Sequence, residues 1–257
     1  MSFDVVIPTL GRSCYLESLI EWLHKQGSRN IFLSGSNCAN FKHTTFIQSE
    51  PSYSKSVNNA VKHCQSEFIL IMNDDIKPKE GCVESMLEII KSNPDIFAVV
   101  PMINTQKNNK TINESLIGLH IRNARPWPTY NQKHPGYANG ACFLTRKEHW
   151  CKLNGFSEAF HPAYWEDVDI SFRAKEQGLS IVYTDSVKVD HIRGVTTGDF
   201  SPDRLNGIFL RGQRIFTARH YKALKLNVFW WFFEILSQGK DLIMLKWRKL
   251  LFRWGVL

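Results

Sequence analysis

The sequence predicts an α/β fold: a βαβ sheet flanked by helices, followed by a basic, aromatic-rich helical segment. Three observations carry this prediction. Short apolar runs recur along the chain, among them "FDVVIP" at 3–8, "EFILIM" at 67–72 and "FAVVPM" at 97–102. Between them lie segments whose apolar residues return every three or four positions, the period of an amphipathic helix. Two of the runs also end abruptly on polar turn residues, "PTLGR" and "NDD".

Each element follows from its own pattern. Residues 3–8 form a continuous apolar run bounded by turn residues, as in a strand buried on both faces. Leu16, Leu19, Ile20 and Leu23 then fall at i, i+3, i+4 and i+7, which is a helix. "IFLS" at 31–34 and "TTFIQ" at 44–48 are short strands, and Val57, Ala60, Val61 and Cys64 restore the helical spacing. The strand at 67–72 is followed by a helix carrying Val83, Met86, Leu87 and Ile90, then by the strand at 97–102. From about 104 to 138 the chain is polar and interrupted by "RPWPTYNQKHPGY", so it reads as an irregular, mobile surface over the site. "GACFLT" at 140–145 returns as a strand, a helix bearing Ile170 and Ala174 follows "YWEDVD", and "SIVYT" and "VKVDH" finish the sheet as two strands. Alternation of this kind requires right-handed crossovers and places the strand C-termini along one edge, where open α/β sheets bind ligands. Thr9 to Arg12 and Asn73 to Asp75 therefore share that edge.

Bulk composition narrows the classes. A chain of 257 residues with 43% apolar content can bury one substantial core and is not dominated by disorder. Its six cysteines, at 14, 38, 64, 82, 142 and 151, form neither a CxxC pair nor a zinc spacing, and they read as reduced packing residues. "MSFDVVIPTLGR" lacks the basic start and long apolar core of a secretory signal, so the expected compartment is the cytoplasm. The net charge of +8 favours an anionic partner. No nucleic-acid module accompanies it, which leaves a phosphate-bearing substrate or an acidic membrane surface.

Three polar groups stand out: Asn73-Asp74-Asp75, Glu166-Asp167 with Asp169, and His191. The first is compatible with ordinary turn chemistry, but its carboxylates could also hold a hard divalent cation. The acids of "EDVD" suit a helix N-terminus, yet Trp165 beside them suggests a partly apolar wall against which a carboxylate can act as a general base. His191 is either a satisfied histidine at a strand end or a ligand.

Taken in order, "DVVIPTLGR", "SKSVNNAVKHCQSEFILIMNDD", "NGACFLTRKEHW" with "LNGFSEAF", "YWEDVDISFRAKEQGLSIVY" and "VDHIRG" resemble the GT-A glycosyltransferases of the inverting family 2, across roughly residues 3–195. The resemblance implies a nucleotide-sugar donor of UDP or dTDP type, lined by Pro8, Thr9, Arg12 and Asn58. It matches Asn73, Asp74 and Asp75 to the DxD-type motif, with Asn73 and Asp74 on the donor side and Asp75 a direct ligand of Mn²⁺ or Mg²⁺. His191 would complete the cation site and Asp167 would be the catalytic base, with Trp165 and Glu166 on the acceptor side. Two departures are visible: Asn73 replaces the first acid of the motif, and Ser34 stands where many members carry an aspartate that reads the base.

The resemblance covers a transferase domain at 1–203 and leaves 204–257 as a C-terminal amphipathic segment. "VFWWFFEIL" is too short to span a bilayer. "DLIMLKWRKLLFRW" combines Leu242, Leu245, Leu250 and Trp254 with Lys246, Arg248, Lys249 and Arg253. That composition suits either the headgroup region of an anionic membrane or packing against the domain or a second subunit. The sequence and its resemblance therefore predict a metal-dependent inverting transferase acting on a growing surface glycan, with a lipid-linked acceptor at the cytoplasmic membrane face as the preferred version. Two rivals remain open: a non-catalytic binding subunit on the same fold, and a sugar nucleotidyltransferase, although "PTLGRS" carries only one of the glycines such an enzyme needs.

Overall fold

The computed structural model of the protein describes residues 2–37, 40–107, 110–130, 132–192 and 201–226. The first half follows the expected order through β1 (Phe3–Pro8), α1 (Leu16–Lys25), β2 (Asn30–Gly35), β3 (Thr45–Gln48), α2 (Tyr53–Val61), β4 (Phe68–Met72) and α3 (Cys82–Ser92), with β5 (Ile76–Pro78), a strand the sequence did not predict, between β4 and α3. The second half contains β6 (Ile96–Lys107), β7 (Lys110–Asn113), β8 (Gly118–Arg122), β9 (Arg125–Thr129), β10 (Cys142–Arg146), α4 (Lys147–Lys152), α5 (Glu166–Glu176), β11 (Ser180–His191) and α6 (Pro202–His220).

Among the described residues the main sheet runs β3-β2-β1-β4-β10-β6-β11-β5, with β7 added to β6. The parallel part is β3, β2, β1 and β4; β10 enters antiparallel between β4 and β6, and β11 runs parallel to β6. Every residue of β4 is buried, as its unbroken apolar run requires when both faces of a strand are covered. Val5, Val6, Ile7, Leu33, Ile69, Ile71 and Val99 form the centre of the core. The ends of β1 and β2 come so close that a side chain at Gly35 would lie 1.9 Å from the Thr9 carbonyl oxygen. Only glycine permits that approach.

Three sequence expectations change. The stretch at 104–138 is largely strand: it holds the end of β6, all of β7 and the hairpin β8–β9. That hairpin turns through Asn123 and Ala124, both at positive φ, and Pro126 and Pro128 are tolerated because β9 pairs on one side only. The two strands expected at 180–184 and 187–191 are one strand, β11, with an irregularity between Thr184 and Lys188. Of the cysteines, Cys64, Cys82 and Cys142 are buried as packing residues, whereas Cys14 and Cys151 are exposed. Cys38 lies outside the described residues.

A second, smaller core joins α5 and α6. Trp165, Val168 and Phe216 are buried in it with Ile117, Tyr137 and Phe160. Gly212 makes room for the indole, since a Cβ there would sit 2.7 Å from Trp165 Cδ1. The segment expected from 204 onward is described as far as 226; "VFWWFFEIL" and "DLIMLKWRKLLFRW" lie outside the described residues.

Candidate active site

The C-terminal ends of β1 and β4 are tied together by Asp74. Thr9 Oγ1 donates to its carboxylate at 2.5 Å and Ser13 Oγ donates to its carbonyl at 2.7 Å. The turn after β1 is held in turn by Gly11 N–H, which donates to Thr9 Oγ1. Thr9, Asp74 and Asp75 are all buried. The two loops expected to share one edge are thus physically joined, and Asp74 is the strut between them.

Asp75 faces another way. Its Oδ1 lies 3.3 Å from Nε2 of His191, the last residue of β11, and its carbonyl accepts the Ile192 N–H. The pairing of β5 with β11 puts Ile76 opposite His191 and so sets this meeting. On the other edge of the imidazole, Nδ1 lies 2.9 Å from Glu114 Oε2. Burial works to lower the His191 pKa, but the hydrogen bonds and charges of Asp75 and Glu114 outweigh it and push the value to about 9. Glu114 was not singled out from the sequence, where it stands in the polar run "NTQKNNKTINES"; its burial is a product of tertiary packing.

The donor set at Asp75 and His191 fits a hard or borderline divalent cation: one carboxylate oxygen and one imidazole nitrogen, with the other ring nitrogen fixed by an acid. Among the described residues no group of three or more His, Cys, Asp or Glu side chains is arranged to hold a metal alone. A bound molecule or water could supply further ligands, as is common for Mg²⁺ beside phosphate.

The second acidic cluster opens α5. Tyr164 and Trp165 both sit at positive φ, a costly conformation for bulky residues, and they turn the chain sharply into the helix. Asp167 then accepts Gly140 N–H on Oδ2 at 2.9 Å and Val168 N–H on Oδ1 at 2.8 Å. Burial raises its pKa above the ordinary aspartate value, while those two N–H groups pull against the shift. Burial, with the neighbouring Asp167 charge, pushes Glu166 well above the usual carboxylate range, and its Oε2 has no hydrogen-bond partner among the described residues. The Gly140 peptide is gripped from both sides, because Tyr53 Oη donates to its carbonyl at 2.5 Å. Burial first, and then the charges of Glu166, Asp167 and Asp75, raise the Tyr53 phenol pKa well above its ordinary value.

The remaining expected residues divide. Pro8 closes β1, Arg12 is exposed on the following turn, and Asn73 pairs through its N–H with the Ala141 carbonyl, linking the β4 end to the loop that holds Asp167. The Asn58 amide makes two hydrogen bonds to the Phe156 backbone, at 2.8 and 2.9 Å, and so fastens the loop after α4. Trp165 is packed between α5 and α6, with ring centroids 5.3 Å from Phe209 and 5.1 Å from Phe216, as a core residue. Ser34 is fully buried at the end of β2, and its carbonyl accepts Thr9 N–H.

The family described as "Glycosyl transferase family 2" matches residues 4–151, more than half of the chain. The chain belongs to glycosyl transferase family 2. A curated relative, the N-acetylglucosaminyl-diphospho-decaprenol L-rhamnosyltransferase of Mycobacterium tuberculosis, is 28% identical over 153 residues, covering 51% of this chain and 49% of its own. The chain thus spans about half the length of that relative. Among solved structures, GalNAc-T7 with UDP, GalNAc and Mn²⁺ matches with a TM-score of 0.60 at 11% identity, over 75% of this chain and 43% of its own. The mannosyltransferase PcManGT of Pyrobaculum calidifontis, in complex with GDP-Man and Mn²⁺, matches with a TM-score of 0.58 at 11% identity, over 86% and 64%. At such identities these likenesses speak for the fold, and the fold is GT-A.

Proposed function

We propose that this family 2 protein transfers a sugar from a nucleoside-diphosphate donor to a hydroxyl of a growing surface glycan, with inversion at the anomeric carbon. The observation that carries the reading is the loop at 140–141: its Gly140 N–H bonds Asp167 and its Ala141 carbonyl accepts Asn73 N–H, which joins Asp167 to the end of β4 where Asp75 meets His191. One cluster suits a cation and the other holds a carboxylate of raised pKa. Those are the two needs of glycosyl transfer.

In this reading Asp75 and His191 hold Mn²⁺ or Mg²⁺. The bound cation would neutralise charge developing on the departing diphosphate as a Lewis acid. Asp74 keeps the turn after β1 against the turn after β4, so Pro8, Thr9, Arg12 and Asn73 frame one donor site. Asp167 accepts the proton of the acceptor hydroxyl; its Oδ2 is aimed by Gly140, and a base poised above the ordinary aspartate pKa accepts a proton better at neutral pH. Attack from the face opposite the leaving group gives inversion without a covalent sugar intermediate. Glu166 borders the acceptor side, and Asn58 supports the site through the loop at 155–156. The glycosyl-diphospho-lipid named in the M. tuberculosis relative supports a lipid-linked acceptor.

A membrane-surface location is part of the proposal. No helix among the described residues is long and apolar enough to cross a membrane. Lys246, Trp247, Arg248, Lys249, Phe252, Arg253 and Trp254 supply the cations and aromatics for an anionic interface at the cytoplasmic face, and the same segment could instead join two copies of the chain. The test of the whole reading is a panel of UDP-, dTDP- and GDP-sugars, assayed for nucleoside diphosphate release with Mn²⁺ and with EDTA. Release from at least one donor, dependent on the cation, is expected. A chain that neither binds nor turns over any donor would leave the non-catalytic rival standing.

A further inference from the structure

Glu114 is the buried acid in this edge of the molecule that the sequence did not mark. It follows β7, and its main chain is fastened independently of its side chain: its N–H donates to the Ile103 carbonyl at 2.7 Å and its carbonyl accepts Asn139 Nδ2 at 3.0 Å. Ser115 beside it bonds both the Ile103 N–H and the Pro101 carbonyl. The turn would therefore hold with many residues at position 114. A carboxylate there is 2% exposed, and burying one is costly without a partner that needs it.

The geometry points to Glu114 as the positioning residue of the cation site, holding Nδ1 of His191 so that Nε2 is presented beside Asp75. This rests on the cation reading of Asp75 and His191 given above. The distances are 2.9 Å from Glu114 Oε2 to Nδ1 and 3.3 Å from Nε2 to Asp75 Oδ1. The two acids bond opposite edges of one imidazole, so Glu114 does not share the cation with Asp75 but acts through the ring. An acid on the far nitrogen fixes the ring's orientation, and a cation that displaced the Nε2 proton facing Asp75 would find that nitrogen's lone pair already aimed. Thr105 Oγ1, which donates to the His191 carbonyl at 2.8 Å, holds the residue's backbone from the other side. Asn139 extends the link: besides bonding Glu114, its Oδ1 accepts the Ala141 N–H, in the loop whose Gly140 aims Asp167.

The decisive measurement is the affinity for Mn²⁺ alone, read by electron paramagnetic resonance of the free ion on the full-length protein. Glu114→Leu, which keeps bulk but cannot accept from Nδ1, should raise the dissociation constant about 10- to 100-fold, the usual cost of losing a partner behind a metal-bound histidine. Glu114→Gln should recover part of the loss, because its amide oxygen still accepts that hydrogen bond. Thermal midpoints in EDTA should fall, less for Glu114→Gln than for Glu114→Leu, because His191 loses a buried partner, and each variant is assayed below its midpoint so that binding is read on folded protein. If both variants bind Mn²⁺ within twofold of the unsubstituted protein, the assignment is wrong; if Glu114→Leu does not fold, Glu114→Gln alone decides by the same limit. Asp75→Ala in the same assay separates the two levels. Loss of binding there with unchanged Glu114 variants overturns only the role of Glu114, whereas unchanged binding in Asp75→Ala overturns the cation site and this inference together.

Discussion

The acids that end β4 and those that begin α5 look alike in the sequence, and the fold treats them by the same rule: neighbours in each cluster are sent opposite ways. After β4, Asp74 turns into the protein to bind Thr9, while Asp75 meets His191. In α5, Asp167 reaches the Gly140 loop, while Asp169 is fully buried in the seam with α6, bonded to Arg173, Arg219 and His220. Residues two apart on a helix differ by about 200° around its axis, so one must face the site when the other faces the neighbouring helix. Their electrostatics diverge as well. Burial raises Asp167, whereas for Asp169 the same effect of burial is outweighed by His220, Arg173 and Arg219, and its pKa falls. In each cluster one acid joins elements of the fold, and the other is the one to which the proposed function gives a role.

The largest test of that division is Asp167→Asn. The amide keeps the shape but cannot take a proton, so the transfer rate should drop about 10²- to 10⁴-fold while donor affinity stays within a few-fold. Near-native turnover in a steady-state assay would move the base elsewhere. Asp75→Ala and His191→Ala should weaken nucleoside diphosphate binding in Mn²⁺ by at least roughly 10-fold, the lower bound for loss of an outer partner, and leave binding in EDTA almost unchanged. Calorimetry under both conditions checks this, and equal losses in the two would mean direct contact with the ligand or a role in folding.

Asp169→Asn should behave in the opposite manner, with stability lost and the chemistry spared per folded molecule. Removing one partner of a fully buried ion pair costs about 3–5 kcal/mol, but Arg219 is about a third exposed and screened by water, so about 2–3 kcal/mol is expected in urea unfolding. A variant as stable as the parent would remove Asp169 from the seam's energetics. The two acids also predict an order of events on acidification. Asp167, with its raised pKa, should lose its role as base above the ordinary aspartate value of 3.8. Asp169 has a lowered folded pKa, so its stabilisation is complete above 3.8 and disappears only as pH falls through that lower value. Activity should therefore fade before circular dichroism reports unfolding; coincident transitions would contradict the contrast. The smallest effect is expected from Tyr53→Phe, which removes one hydrogen bond to Gly140 and should cost about 1 kcal/mol of positioning, or roughly fivefold in rate.

The sequence by itself determined the alternation of strands and helices through β4 and α3, because apolar periodicity is a local property that any covering layer will exploit. It likewise determined that Thr9 and Asp74 share an edge, since parallel strands with crossover helices leave no other place for their ends, and its motifs pointed to Asp75, Asp167 and His191. It did not disclose β7 or the hairpin β8–β9, whose polar residues and prolines look like loop when only one side of a strand is paired. Nor did it show that Asn58 fastens the Phe156 backbone or that Trp165 belongs to the α5–α6 core, because each depends on a partner about 44 to 98 residues away. Only the tertiary structure decided which acid of each cluster faces the site, and it alone brought Glu114 to His191 across 77 residues of chain. A carboxylate's role follows from its desolvation and from the charges around it, and those arise only when distant segments pack together.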